Sequence, residues 1–588
     1  MVLWVLGMAA GFAVMYFSLP KKKLDGPEGS ILPNTSLATA NSSLCEKKLS
    51  KWIESVNPDR MQYDADIESR VQELNRYWTT CGSSGEKPLV SDLKPIESSV
   101  DSDYRVRVLA SRFGRRDVEH IRQTLLLSHM AARISEAHRS DRDRVLATFS
   151  LVSPQLELLP AAQSVDRPLT PFDCLLLGQG TPSDRAWIFS ELLRQLHLDA
   201  VVLTADNAEI PPLVGVLVEA DVLLFDSQTG WPIPAAGESQ RKTIFNVPAT
   251  MKDALADDAI FRQLDLEGTP FPWTAERLKA ATIGLVGTSC TWAPRSAELQ
   301  FQWPTTQMCV IYDGLGSSAA IQHGLIERVN TAFAPLGFTG ERIRVWDYPE
   351  SQCDRYDSLG SESAPHMVPL VEVMSGPRTF PEIEDPKTHV IQVTPLRSKR
   401  PLQQARVQHL LGHRTEAIGG YLPMLRAHRL APKNGGRIDA TIQVAMDQNR
   451  LVADRAIYWM ASTQFENDDL DACSGTLRQY AKDFPLGEMR EAAAMRQAAC
   501  LEKAEKYEEA AQILTGFGPG PNQVRRALLA RRLLELKGPS AVAPPAEPAA
   551  EPTAPAAEPT PPAASTPEKT PSAGEAIPPP PPQAEALP

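Results

Sequence analysis

Ser183 and Asp184, at the start of an amphipathic stretch, and Asp226 further along are residue types that nucleophilic acyl transfer uses. Such chemistry needs a nucleophile at a helix N-terminus, where the dipole lowers its pKa. It also needs a His base on a neighbouring strand and an Asp or Asn that orients this His. Cys174 is a second nucleophile candidate, ahead of Gly178 and Gly180. No His lies between His197 and His323, so a base would have to come from His323, His366 or His409. His197 falls at a helix C-terminal end, where a partly charged imidazole complements the dipole. His409 and His413 lie four apart on one helix face with Glu416 nearby, but zinc needs further ligands and the spacing offers no third. No metal and no cofactor is therefore expected. Gly314-Leu315-Gly316-Ser317-Ser318-Ala319 matches GxGxxA, yet no βαβ unit surrounds it, and it reads as a tight strand–helix turn. The chain has no P-loop, no paired Cys-x-x-Cys and no lipase elbow.

The elements that would position these residues follow from hydrophobic spacing. Asp184 to Leu196 reads as an amphipathic helix with Ala186, Phe189, Leu192, Leu193 and Leu196 inward. Trp187, in an Ala-Trp-Ile-Phe run, reads as core. Ala200–Leu203, Val214–Val218 and Val222–Phe225 are short runs rich in β-branched residues and read as strands. Before them, Val118, Ile121, Leu125, Leu126 and Met130, then Ala131, Ile134 and Ala137, have helical spacing, and Asp117 is a plausible cap. Leu44 to Thr80 is helical on either side of Pro58, a two-helix module. Residues 82–102 read as loop. Further on, Cys309–Tyr312 and Val390–Val393 read as strands and Ala319–Phe333 as a helix. Pro294-Arg295 interrupts an otherwise helical pattern.

Residues 178–203 run GQGTPSDRAWIFSELLRQLHLDAVVL. This stretch resembles the nucleophile segment of the transglutaminase-like (papain-like) superfamily, in which a Gly-rich turn delivers a Cys to a helix N-terminus. Gly178, Gly180, Asp184, Ala186, Leu192, Leu193, Arg194, Leu198 and Ala200 carry the resemblance, which covers roughly 104–250. It places Pro182, or Ser183 if the register slips by one, at the position of the Cys. The His belongs at the start of the strand near Leu213, and Asp226 matches the third member. Pro suits the first turn of a helix, because its missing N–H would be unpaired there anyway. The substitution thus keeps the local fold and removes the nucleophile. The resemblance implies a degenerate site whose old groove, near Ser183, Asp184 and Asp226, binds an extended peptide.

From about 402 to 536 the chain is helical and rich in Ala and Leu. Asp469-Leu470-Asp471-Ala472 matches Tyr507-Glu508-Glu509-Ala510, and Ala461 matches Ala499. Tyr480 and Phe484-Pro485 end one helix, and a longer connection follows through Leu486 to Met489. This resembles tetratricopeptide-type repeats, which implies a concave surface for a protein or peptide partner.

Val2 to Leu19 is an uncharged apolar run followed by Pro20 and Lys21-Lys22-Lys23, long enough to span a bilayer as an uncleaved anchor. Gly7 and Gly11 form a GxxxG pair of the kind that dimerises helices. Lysines after the span put the body in the cytoplasm. Cysteine usage leans the other way, toward an extracytoplasmic body. Cys45 and Cys81 bracket the helical hairpin so that its ends could meet, and Cys473 and Cys500 fall on adjacent predicted helices. A net charge of −12 excludes nonspecific nucleic-acid binding. With 51 Pro, many of them in residues 538–588, the C-terminal segment reads as an extended tail that buries no core.

The expected architecture is thus α+β and multidomain. It comprises an anchor (1–20), a linker (21–43), a helical hairpin (44–102), a degenerate transglutaminase-like domain (103–250) and a small α/β extension (251–395). Tetratricopeptide-like repeats (396–537) and a disordered tail (538–588) follow. The expected function is a membrane-anchored, non-catalytic scaffold that binds a protein or peptide. The alternatives are a hydrolase or acyltransferase with Ser183 or Cys174 as a displaced nucleophile, or a structural envelope spacer.

Overall fold

The computed structural model describes residues 36–62, 66–82, 100–159, 168–237, 247–304, 309–316, 323–358, 368–384, 391–398, 401–432 and 438–537. The membrane-anchored architecture expected from the sequence is not what the described residues show. No helix among the described residues is long and apolar enough to cross a membrane. Val2–Leu19 lies outside the described residues, as does the Pro-rich tail. The single-pass reading, and with it the placing of the body on one side of a bilayer, is not carried forward. The fold is mixed α+β with a helical C-terminal part.

Short bridging strands β1 (Glu157–Leu158) and β2 (Gln179–Gly180) pair in parallel. The main sheet has six strands: β3 (Ala200–Thr204), β4 (Leu213–Val218), β5 (Asp221–Asp226), β6 (Trp231–Pro232), β7 (Thr282–Leu285) and β8 (Ile343–Val345). Their order is β6-β5-β4-β3-β7-β8, antiparallel except for the β7–β8 pair. Residues 251–395 were expected to form an extension, yet β7 and β8 complete this sheet. Two small hairpins, β10 (Glu382–Glu384) with β11 (Ile391–Val393) and β9 (Arg378–Thr379) with β12 (Leu396–Arg397), lie outside it.

Both faces of the sheet are covered, which is why its strands read as unbroken apolar runs. Val202, Val214, Val216, Leu223 and Phe225 face one side and pack with Phe149 and with Phe189 of helix Pro182–Gln195. Val201, Leu203, Leu213, Val222 and Leu224 face the other and pack with Met251, Leu278 and Phe333. The first of these layers is continuous with the C-terminal helices: Trp459, Ala456 and Leu477 belong to the same buried cluster.

The strand expected over Cys309–Tyr312 is absent, although Ile311 is buried. Side chains supply the bonds that a neighbouring strand would make. Gln195 bonds both the N–H and the C=O of Val310 at 2.9 Å, and Gln300 Oε1 accepts from the N–H groups of Ile311 and Tyr312. The helix expected from Ala319 is described over Leu325–Phe333. Residues 36–43, assigned to a linker by composition, are the first two turns of helix Ser36–Val56.

That helix and Ile67–Cys81 form the N-terminal hairpin, with Leu49, Ile53, Val71 and Leu74 between them. A disulfide joins Cys45 to Cys81, 36 residues apart, with the Cα atoms 5.7 Å apart. Because the bond restricts the unfolded chain, replacing both cysteines with Ser is expected to lower stability by about 3 kcal/mol. Urea unfolding of the variant beside the oxidised wild type checks this; equal midpoints would exclude it.

A buried ion pair ties three helices to one another. Arg295, in the first turn of Pro294–Phe301, contacts Asp117 Oδ1 through Nε (2.9 Å) and Nη2 (2.8 Å). Its Nη1 donates to the carbonyls of Arg107, Val108 and Ala110 at the end of helix Ser102–Leu109. Asp117 Oδ2 accepts from the Gly114 N–H and so caps helix Arg115–Ala137.

Candidate functional site

Helix Pro182–Gln195 starts on a capping box. Thr181 is the N-cap, its Oγ1 accepting from the Asp184 N–H, while Asp184 Oδ2 accepts from the Thr181 N–H at 2.8 Å. Tyr348, the first residue of helix Tyr348–Ser358, donates its hydroxyl to Asp184 Oδ1 at 2.9 Å. Pro182 takes the first helical position, and Pro182 and Ser183 are half-buried. Asp184 is buried, and burial pushes its carboxyl up while the bonds from Thr181 and Tyr348 pull it back. The acidic residue of the motif is therefore a helix cap that docks a second helix.

The sheet register places Leu213, the first residue of β4, directly opposite Asp226, the last of β5. Both are buried. Asp226 accepts from the N–H groups of Gln228 and Thr229 and from the Thr229 hydroxyl at 2.6 Å, closing the turn into β6. Burial raises its carboxyl and those bonds oppose the rise. Its oxygens thus serve the turn, and the residue facing it is a Leu with nothing to orient.

Arg185 links these pieces. Its Nη1 donates to the carbonyls of Ser227 (2.7 Å) and Gln228 (3.0 Å), and its Nη2 to that of Leu156 (3.0 Å). The Ser227 hydroxyl in turn donates to the Pro212 carbonyl at 2.5 Å. The guanidinium thereby joins the helix start to the turn after β5, and the Ser227 hydroxyl carries the connection on to the head of β4. Arg185 is fully buried, and burial, reinforced by repulsion from Arg525, pushes its pKa down to about 9. Overhead, β1 runs beside β2, with the Glu157 N–H bonded to the Gly178 carbonyl and that of Leu159 to the Gly180 carbonyl. A Cβ at Gly180 would lie 2.9 Å from Leu156 Cδ2, so the glycine lets this cover sit tightly.

The sheet register pairs Leu213 with Asp226, Arg185 ties the helix that Pro182 opens to the turn after Asp226, and among the described residues no His bonds Asp226. Cys174 is fully buried in helix Pro171–Leu177, and burial, then the charges of Asp184 and Asp173, push its thiol well above the usual range. His197 is exposed, in left-handed backbone just past the helix end. His323 is exposed and pairs with Glu327. His366 lies outside the described residues. His409 is buried between Glu466 (3.1 Å) and Arg406 (3.0 Å), whereas His413 is bonded to Gln408. Among the described residues no group of three or more His, Cys, Asp or Glu is placed to hold a metal ion. Gly314 and Leu315 accept from the N–H groups of Leu325 and Ile326, which anchors the helix that follows; Ser317 to Ala319 lie outside the described residues. Trp187 is core, edge-on to Tyr348.

Among the described residues, the cavities above 500 Å³ lie elsewhere. One of about 540 Å³ sits at the far end of helix Pro182–Gln195. Its charges face one another: Arg328 clamps Asp199 at 2.7 and 2.8 Å and reaches Asp313, which Arg194 also contacts. The other, about 610 Å³, is a groove across helices Leu470–Asp483, Arg490–Lys503 and Tyr507–Thr515. Leu477, Ala494, Ile513 and Phe517 give it an apolar floor, and Arg478 and Lys506 are among its charged residues. Sequence reasoning missed Arg185, Tyr348 and Trp459, because each acts on a partner too distant in sequence for spacing to show. No protein-family model matches the chain, and no match is found among curated proteins or among solved structures.

Proposed function

We propose that this chain is a non-catalytic binding protein. In this reading a degenerate transglutaminase-like core supports tetratricopeptide-like helices that receive an extended or helical segment of a protein partner. One observation carries it. The positions where the resemblance expects a nucleophile, a base and an orienting acid hold Pro182, Leu213 and a turn-bonded Asp226, and the buried Arg185 joins the helix of Pro182 to the turn after Asp226. The open groove lies instead on the helical part, with an apolar floor and charged edges suited to a peptide.

The test has two arms. Purified full-length chain is expected to release no ammonia and to incorporate no amine when given a glutamine-containing peptide and a primary amine, and Asp226→Ala is expected to change neither reading. Photo-crosslinkers placed at Ala494 and Ile513 in the groove are expected to capture a partner that one at Lys482, outside it, does not. Amide turnover abolished by Asp226→Ala, or stoichiometric labelling of Ser183 or Cys174 by an electrophilic probe, would overturn the reading in favour of a displaced nucleophile.

A further inference from the structure

The helical C-terminal part contains two cysteines in direct contact. Cys473 lies in helix Leu470–Asp483 and Cys500 in the next helix, Arg490–Lys503, and both are buried. Their sulfur atoms are 3.0 Å apart. The bonded distance is about 2.05 Å, so a small side-chain movement separates this contact from a covalent bond. The two positions are 27 residues apart, a loop length at which a crosslink restricts the unfolded chain substantially. Cys500 also lines the groove of about 610 Å³, whereas Cys473 is fully enclosed.

We propose that Cys473 and Cys500 form a second disulfide, which pins these two helices together and fixes one wall of the groove. The oxidant is of the disulfide class, such as oxidised glutathione. The Cys500 thiolate, on the groove side, attacks one sulfur of the oxidant, forms a mixed disulfide and expels a thiolate. The Cys473 thiolate then attacks the Cys500 sulfur and expels the second thiolate. Two protein thiols are oxidised, one disulfide is reduced to two thiols, and the two protons pass to the expelled thiolates.

The full-length protein is treated with oxidised glutathione until the Cys45–Cys81 link is complete. It is then quenched in acid, denatured, alkylated without reduction and digested for mass spectrometry. The expected result is a peptide pair joined through Cys473 and Cys500, with alkyl groups on Cys174, Cys290, Cys309 and Cys353. In Cys473→Ser under the same treatment, the crosslinked peptide pair is expected to vanish and Cys500 to carry a glutathione in mixed disulfide. Recovery of Cys473 and Cys500 both alkylated, in a digest where Cys45–Cys81 is linked, would overturn the proposal. So would a Cys500 link to any other cysteine.

Discussion

Replacing Arg295 with Met is expected to lower the unfolding free energy by about 4 kcal/mol. Removing one partner of a buried ion pair costs more than the pair contributes, because the remaining charge keeps its desolvation penalty without compensation. Asp117 would be left in that position, 3 % exposed, and the carbonyls of Arg107, Val108 and Ala110 would lose their donor as well. The aliphatic side chain of Met retains much of the packing and none of the bonds. Urea unfolding measures the loss. Combining Arg295→Met with Asp117→Asn is expected to cost less than the sum of the two single changes, since the stranded charge is then removed. A single variant within 1 kcal/mol of wild type would show that water, and not Arg295, satisfies this junction.

Gly178→Ala is expected to be about as costly, again about 4 kcal/mol. Gly178 ends helix Pro171–Leu177 in left-handed backbone, at φ +68°. A side chain pays about 1 kcal/mol or more for that conformation. A Cβ there would also overlap the Trp459 ring. That ring cannot step aside freely, because Arg406 stacks on it at 3.4 Å and His409 packs against it edge-on. Overpacking a core of this kind costs roughly 1–3 kcal/mol. Trp459→Phe shortens the ring where the overlap falls, so the double variant is expected to recover part of the loss, and thermal unfolding of all three proteins decides it. Strict additivity would place the whole effect in the backbone and remove Trp459 from the explanation.

These two positions show where sequence reading stopped. The helix after Pro182 was legible, because the spacing of Ala186, Phe189, Leu192, Leu193 and Leu196 and Pro at the first turn are local signals, whereas the Thr181–Asp184 capping box emerged only from the structure. So were β3, β4 and β5, whose apolar runs mark strands covered on both faces. Gly178 was legible as a turn, but its role as a seat for Trp459 depends on a helix hundreds of residues away. The run Cys309–Tyr312 looked like a strand because its side chains are apolar; its backbone partners turned out to be two glutamine side chains, which no periodicity reveals. That Pro182 and Leu213 are residue types that serve as neither nucleophile nor base could be read from the sequence alone. That Arg185 is buried against the Ser227, Gln228 and Leu156 carbonyls could not, since an arginine on a helix ordinarily points to water.

The joining of the C-terminal helices to the α/β layer has a consequence for biosynthesis. Arg406 holds the Leu175 carbonyl across 231 residues, and Asn522 holds Glu157 across 365. At the usual speed of translation the partner of Leu175 leaves the ribosome roughly 10 to 50 s after it. For that interval the layer around Phe172, Leu176 and Phe189 waits with one side open. A nascent chain in this state is a natural client for chaperones that shield apolar surface. A chain cut before Leu402 would keep that open side permanently, so the two halves of the protein are best regarded as one folding unit whose completion is timed by its last helices.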